Sequence, residues 1–365
     1  MQFNKKLIAI LIIILIFTVV GCSKKTDTPD EDITVEIIEE IEEKEEISYE
    51  GMAMNPLTGL WIDEDVAKRR PVAVMINNMK LALPQSGISQ ADILYETLAE
   101  GNITRLVAVF QDFDAEKIGP VRSTRHYYLN IAFDHDAIFV HHGGSPQAFE
   151  AIKELKPANL NTLSYLESIM AWRDPERSKQ RRMYEHSLYT NAEGIMKGWE
   201  KVDYRKEVVE GFPQKLQFAE EEYTPGNEVA DYITIPFSND YVTNFEYNSD
   251  TKSYKRFQSG KPHIDENNNE QLEFKNIIVQ FADIKLIPGD PEGRRDIKLI
   301  GSGEGIYITN GKAMPITWNK SGYNIPTEYK DLDGNILKLN KGKTSISIFP
   351  NNKTISLTNV TEEEN

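Results

Sequence analysis

The pattern of apolar and polar positions divides most of the chain into two parts. Between Gly51 and about Lys215, short apolar runs that predict strands alternate with stretches of helical periodicity. Strands are predicted at 72–76, 92–96, 104–111 and 137–141, and helices at 123–133, 145–155 and 192–202. Thr190 and Glu193 have the spacing of a capping box at the start of the last helix. This mixture indicates a layered α/β architecture.

After Gly226 the helical periodicity disappears and turn signals recur. Asn310-Gly311 between two apolar alternating runs predicts a hairpin, and further strands are predicted at 277–286 and 345–349. We therefore predict an α+β fold. An N-terminal mixed α/β layered domain at 51–215 is followed by a mostly β C-terminal domain at 226–361, with the boundary near 213–226.

The first 22 residues have the form of a lipoprotein signal peptide. Lys5 and Lys6 precede an apolar run over 7–20, which is too short for a spanning helix. The ending Val19-Val20-Gly21-Cys22 resembles a bacterial lipobox, and Cys22 is the only cysteine of the chain. Lipidated Cys22 is therefore expected to anchor the mature protein on the extracytoplasmic face of the cell membrane. The alternatives are a buried free thiol or an uncleaved anchor.

The formal net charge of −16 is unevenly distributed along the chain. Residues 23–50 form an acidic tether, in which twelve carboxylates face Lys44 alone between Thr26 and Glu50. A pI near 5 argues against a nucleic-acid partner, and 40% hydrophobic residues exclude global disorder. A single cysteine excludes a disulfide scaffold.

Candidate chemistry concentrates in two segments that each run into a predicted helix, 118–125 and 139–146. Ser123 or Thr124 is the predicted N-cap of one helix, and Ser145 with Pro146 begins the other. Arginines beside the positive end of a helix need a negative partner, and glycines let backbone N–H groups approach an anion. We therefore predict an anion-binding cleft with His141 and Arg173 at its edge and Arg173 stacked on Trp172. The cleft residues are Arg105, Arg122, Arg125, Gly143, Gly144 and Ser145.

Two glutamates leave other interpretations of these arginines open. Glu96 or Glu100 could pair with Arg105, Arg122 or Arg125 in an internal network that needs no ligand. Either glutamate could instead serve as general base in an envelope hydrolase or phosphotransferase, with Arg122 and Arg125 stabilising developing charge. No metal site and no cofactor are expected, because metal-ligand spacings and nucleotide-binding glycine patterns do not occur.

Several segments resemble the YerB-like lipoproteins of Gram-positive bacteria, a family of two domains of unknown function. The resemblance implies a two-domain lipoprotein and no particular reaction. Three functions stay open: binding of an anionic envelope component such as a teichoic acid phosphate or a peptidoglycan carboxylate, an envelope enzyme, and a protein-interaction scaffold without a small ligand. The matching segments are 55–59, 70–78, 91–96, 103–105, 119–125, 143–146, 306–320 and 331–350.

Overall fold

The computed structural model describes residues 49–359, and its α-helices all lie before residue 203. The signal segment, Cys22 and the tether up to residue 48 lie outside the described residues. No helix within 49–359 combines the length and the apolar character that crossing a membrane requires. The α-helices are α1 (Glu64–Lys68), α2 (Tyr128–Asp134), α3 (Pro146–Leu155), α4 (Glu167–Met170), α5 (Pro175–Ser178) and α6 (Ala192–Val202), with 3-10 turns at Lys80–Ala82, Ile88–Gln90 and Arg181–His186.

Strands occur along the whole described chain and are the main secondary structure after residue 203. In chain order they are β1 (Met52–Met54), β2 (Trp61–Asp63), β3 (Val72–Asn77), β4 (Ile93–Leu98), β5 (Thr104–Phe110), β6 (Ile138–His141), β7 (Asn159–Asn161), β8 (Ala171–Arg173), β9 (Leu188–Thr190), β10 (Gln217–Phe218), β11 (Glu228–Val229), β12 (Tyr232–Pro236), β13 (Val242–Asn248), β14 (Ser253–Gln258), β15 (Lys261–Pro262), β16 (Glu273–Phe274), β17 (Asn276–Leu286), β18 (Arg295–Lys298), β19 (Gly301–Thr309), β20 (Lys312–Lys320), β21 (Glu328–Lys330), β22 (Lys338–Leu339), β23 (Thr344–Pro350) and β24 (Ser356–Thr358).

A mixed central sheet contains strands from both parts of the sequence. Its order is β11-β20-β19-β17-β23-β4-β5-β3-β6-β7, with β18 paired to β17 and β21 to β20. Strand β23 lies parallel between β17 and β4, so that Ile346 is opposite both Ile278 and Tyr95. One late strand therefore joins the two parts of the chain.

Both faces of the central sheet are covered, which explains why its inner strands are apolar at every position. In β3, Val72, Val74 and Ile76 belong to one buried cluster, and Ala73 and Met75 belong to the other. The first cluster also includes side chains of α4, α6 and the second sheet, and the second cluster includes side chains of α2. A continuous apolar run is the expected signature of a strand buried on both faces.

The second sheet is antiparallel and comes only from the later part of the chain. Its order is β15-β14-β13-β12-β24, with β16 paired to β14. Ile233, Phe245 and Tyr254 of this sheet share a buried cluster with Ile277 and Phe349 of the central sheet. The α+β prediction is confirmed, with a mixed first part and a strand-rich second part.

The predicted boundary at 213–226 divides the sequence, but the central sheet continues across it. Residues from both sides enter the same buried clusters, and the described residues belong to one compact unit. The ranges 51–215 and 226–361 therefore remain a proposed division of the chain, and we expect them to share one cooperative core.

Two helix starts differ from their predicted positions. The helix predicted at 123–133 begins at Tyr128, and neither Ser123 nor Thr124 caps it. Residues 119–124 are extended instead, since their backbone groups bond to neighbouring segments, as in Arg122 N–H to Met75 O at 3.0 Å. At α6 the N-cap is Asn191, whose side chain accepts from Gly194 N–H, and the Thr190 hydroxyl bonds to Met170 O.

Two other local predictions are confirmed. The Ser145 side chain caps α3 by accepting from Ala148 N–H at 3.1 Å, with Pro146 as the first helical residue. Asn310 and Gly311 connect β19 to β20 with positive φ angles of 50° and 71°, as a type I′ hairpin requires.

Candidate functional site

The arginines predicted to form one cleft belong to two different groups. Arg105 and Arg125 both bind Glu100: Arg125 donates to Glu100 Oε2 at 2.6 Å and 3.1 Å, and Arg105 donates to Oε1. Burial and the positive charge of neighbouring Arg125 together lower the pKa of the Arg105 guanidinium to about 10. These arginines follow the alternative interpretation, in which an internal carboxylate pairs with them.

Glu96 is part of a separate buried network and does not face any of the predicted arginines. Its Oε2 accepts from Arg256 at 2.6 Å and from Thr243 at 2.6 Å, while Oε1 accepts from Thr104 at 2.7 Å. Arg256 and Glu96 are 1% and 2% exposed, so this is a fully buried ion pair between the second sheet and the central sheet. The proposed pairing of Glu96 with an arginine of the first part is therefore wrong.

These two networks engage both of the carboxylates predicted as a general base. Glu100 is engaged by two guanidinium groups, and Glu96 accepts hydrogen bonds from Arg256, Thr243, Thr104 and Asn78. A general base has to reach the proton that it removes. Both carboxylates are held in these internal bonds, and the Glu96 and Glu100 side chains are 2% and 19% exposed.

Arg122 and Arg173 approach a histidine at the surface of the first part. Arg173 Nη2 lies 3.4 Å from His142 Nε2, and the backbone N–H of His142 donates to Arg122 O at 3.0 Å. The ion pair of Arg122 is with Glu185, at 2.6 Å, and the Glu185 side chain is 66% exposed. We call these residues, together with Arg181 and Arg182, the Arg122 surface.

His142 is neutral at the Arg122 surface near pH 7. Burial, together with the positive charges of Arg173 and Arg122, lowers the pKa of His142 to about 4. Because Arg173 can only donate, His142 Nε2 accepts from it, and His142 Nδ1–H donates to Thr162 Oγ1 at 2.9 Å. The imidazole therefore orients Arg173 without adding a positive charge.

Arg173 stacks on a tyrosine and not on its predicted tryptophan. Its guanidinium lies 4.1 Å from the centre of the Tyr184 ring, and Nη1 donates to Tyr184 O at 2.9 Å. Trp172 and Arg173 are consecutive in β8, so their side chains point to opposite faces of the strand. A strand predicted at 171–173 would have excluded stacking of Arg173 on Trp172.

The backbone of the 143–145 turn is largely used within the protein. Gly143 N–H donates to Asn161 Oδ1 at 2.9 Å, and Ser145 N–H donates to Thr124 O at 3.2 Å. Gly143 has φ of +69°, which explains why a glycine stands there. Gly144 forms an isolated bridge with Thr124. The turn supports the position of His142 and does not present a row of open N–H groups.

His141 lies inside the sheet, away from the edge position predicted for it. Its Nδ1 lies 2.8 Å from Gly143 O and its Nε2 lies 3.2 Å from Asn159 Oδ1. Burial lowers the pKa of His141. The neighbouring His142 is the histidine that meets the arginines, because adjacent strand residues face opposite sides.

A basic segment borders the two central arginines. The 3-10 turn Arg181–His186 carries Arg181 and Arg182, both exposed and without an ion-pair partner among residues 49–359. The same turn supplies Glu185 and Tyr184 to the Arg122 surface. Of the four arginines on these segments, Arg122 forms an ion pair, with Glu185. Within residues 49–359, no group of three or more acidic, histidine or cysteine side chains is arranged to hold a metal ion.

Family models match both parts of the chain. Residues 57–205 match the N-terminal domain, and residues 233–346 the C-terminal domain, of a protein of unknown function, DUF3048. The chain therefore belongs to this family, to which the YerB-like lipoproteins also belong.

Two comparisons name the same relative. The chain is 36% identical over 299 residues to YerB of Bacillus subtilis (strain 168), a protein named as a candidate lipoprotein, covering 81% of this chain and 86% of YerB. The crystal structure of the Bacillus subtilis YerB protein superposes with a TM-score of 0.74 at 32% identity, covering 84% of this chain and all of that one. The lipoprotein relative points to membrane association of this chain.

Proposed function

We propose that this lipoprotein, anchored through Cys22 on the extracytoplasmic face of the cell membrane, binds an anionic cell-envelope component through the Arg122 surface. The observation that carries the proposal is the excess of arginine there. Arg181 and Arg182 are exposed and have no ion-pair partner among residues 49–359, and Arg122 pairs with Glu185, which is itself exposed. An anionic polymer would supply the missing negative charge.

The chemistry of the surface suits a phosphate or a carboxylate. Guanidinium groups bind both with paired, charge-assisted hydrogen bonds. Arg173 is held in place by Tyr184, Ser187 and neutral His142, so little freedom is lost when a ligand binds. Arg122 can exchange its exposed partner Glu185 for a ligand, since a surface ion pair contributes little.

The charge distribution of the chain also supports an extracytoplasmic polymer as the partner. Residues 23–50 carry a formal net charge of −9 of the chain's −16, and their carboxylates repel an anionic membrane surface. The arginine-rich surface lies in the first part of the body instead. A partner that extends away from the membrane can reach it.

Binding of purified wall polymers to the full-length protein in detergent micelles tests the proposal. We expect a glycerol-phosphate teichoic acid or a soluble peptidoglycan fragment to bind, more weakly as salt is added. Arg122→Ala and Arg173→Ala should each weaken binding roughly ten- to a hundredfold, the effect of losing a charge-assisted hydrogen bond.

A matched variant controls for general charge. Lys341→Ala removes an exposed cation in the turn before β23, and it should leave binding unchanged. Neutral dextran should not bind. The proposal is wrong if neither anionic polymer binds, or if Lys341→Ala weakens binding as much as Arg122→Ala does.

A further inference from the structure

A compact apolar face is exposed on the first hairpin of the described chain. Strands β1 and β2 pair so that Met54 is opposite Trp61. Met52 and Met54 are each 38% exposed and Trp61 is 41% exposed, all on one face of the hairpin. Tyr49 stacks on Trp61 with 4.3 Å between ring centres, and Leu60 at the turn is also exposed. Single exposed apolar residues are ordinary, but a contiguous group marks a contact surface.

The face lies at the start of the described body, next in sequence to the tether that follows Cys22. Residues 23–48 separate Cys22 from Tyr49, which is a reach of at most roughly 90 Å for an extended chain. The hairpin is thus the part of the described body that follows the lipid-bearing cysteine most directly. Tryptophan and tyrosine are the side chains enriched at membrane–water interfaces, where one end of the ring is apolar and the other is hydrated.

Carboxylates border the face and limit the kind of surface that fits it. Glu50, Asp63, Glu64 and Asp65 are all exposed beside the apolar side chains. These groups favour contact with uncharged headgroups and are repelled by anionic lipids. The repulsion is electrostatic, so added salt reduces it.

We propose that the face formed by Tyr49, Met52, Met54, Leu60 and Trp61 rests in the headgroup region of the bilayer that holds the Cys22 anchor. This contact rests on the anchoring part of the proposed function. The lipid supplies the attachment, and the hairpin sets the orientation of the body. The Arg122 surface is a separate part of the molecule and is left available to an envelope partner.

Tryptophan fluorescence tests the contact directly. Trp199 and Trp318 are 1% and 3% exposed, so Trp172→Phe leaves Trp61 as the exposed tryptophan. We expect vesicles of phosphatidylcholine with brominated acyl chains to quench Trp61 in the lipidated full-length protein. The quenching should be lost in Trp61→Phe, and it should be weaker when anionic phosphatidylglycerol is added at low salt.

Matched apolar variants test whether the face as a whole makes the contact. Met54→Ser should reduce bromine quenching of Trp61. Leu286→Ser, at an exposed apolar position at the end of β17, should not.

Flotation of the same vesicles separates anchoring from the hairpin contact. Protein that floats while acrylamide reaches Trp61 as freely as in micelles keeps the anchor and overturns the hairpin contact. Protein that does not float overturns both. If Trp61 is protected from acrylamide but not quenched by bromine, a protein surface covers the hairpin and the bilayer proposal is wrong.

Discussion

The two sets of arginines in this protein show how similar residues acquire different roles. In the inner set, Arg256 and Glu96 are almost completely buried, and Arg105 and Arg125 close on Glu100. In the Arg122 surface, the carboxylate partner of Arg122 is the exposed Glu185. The inner arginines are paired with internal carboxylates, whereas the outer arginines carry more positive charge than their carboxylate partner balances.

The difference follows from where each side chain leaves the central sheet. Arg105 is in β5, and Glu96 of the adjacent β4 faces Arg256 of the second sheet, which closes over it. A charge buried in this way costs several kcal/mol unless it is paired. Arg122 belongs to the extended segment outside β3, and Arg173 to the two-stranded sheet β8–β9, and both residues are partly exposed. The Arg122 surface is therefore the better candidate for a binding site.

Breaking the inner ion pair should have the largest effect on stability. Arg256→Met leaves Glu96 buried without its cation, and we expect the free energy of unfolding to fall by about 3–5 kcal/mol. Urea unfolding at pH 7 measures it. The double variant Arg256→Met/Glu96→Leu should recover much of the loss, because no unpaired charge remains. A loss below about 1 kcal/mol in the single variant would show that the fold does not depend on this ion pair.

The free energy of unfolding measured at a series of pH values should distinguish buried His263 from half-buried His142. The effect is expected to be smaller than that of Arg256→Met. His263 donates to Gln85 at 2.6 Å and faces Arg256, and burial holds its pKa well below the usual value. Burial, Arg173 and Arg122 lower the pKa of His142 to about 4. Both histidines take up protons more readily when unfolded, so stability is full above about pH 6.5 and falls as the pH is lowered toward 4.

The slope measures how strongly each histidine is kept neutral. A single buried histidine contributes up to about 1.4 kcal/mol per pH unit in that window. We expect His263→Gln and His142→Gln to flatten the decline from pH 6.5 to 4.5 by similar amounts, because both histidines are neutral in the folded protein there. Below about pH 4 the folded protein takes up a proton at His142, so only His263 continues to add to the decline. Urea unfolding at half-unit pH intervals measures this, and equal slopes in the two variants below pH 4 would remove the distinction between an inner and an outer environment.

The sequence predicted the fold better than it predicted the grouping of side chains. Strands β3, β5 and β6 and the Asn310-Gly311 hairpin follow from apolar runs and turn residues that are contiguous in the chain. The helix start predicted at Ser123 is wrong, because residues 119–124 bond to other segments through their backbone. Local propensity carries no information on such partners.

The candidate site shows the same limit. The sequence groups the arginines and glutamates as one set, and the observed pairing of Glu100 with Arg105 and Arg125 is one of the alternatives that it leaves open. The partner of Glu96 lies 160 residues away in the second sheet, where the sequence shows no clustered chemistry. His142 could have been preferred over His141 only with knowledge that β6 ends at His141 and that Arg173 lies beside the following residue.

The smallest stability effect is expected at Arg122, and it is what distinguishes a binding residue from a structural one. Glu185 is 66% exposed and Arg122 is 20% exposed, so the pair is solvated on the glutamate side, and its loss in Arg122→Ala should change the free energy of unfolding by less than about 1 kcal/mol. A double-mutant cycle with Glu185→Ala should give a coupling of the same small size. Urea unfolding of the four proteins at low and moderate salt measures it. If Arg122→Ala destabilises the fold as much as Arg256→Met does, Arg122 belongs with the inner arginines, and any loss of polymer binding in that variant reflects unfolding.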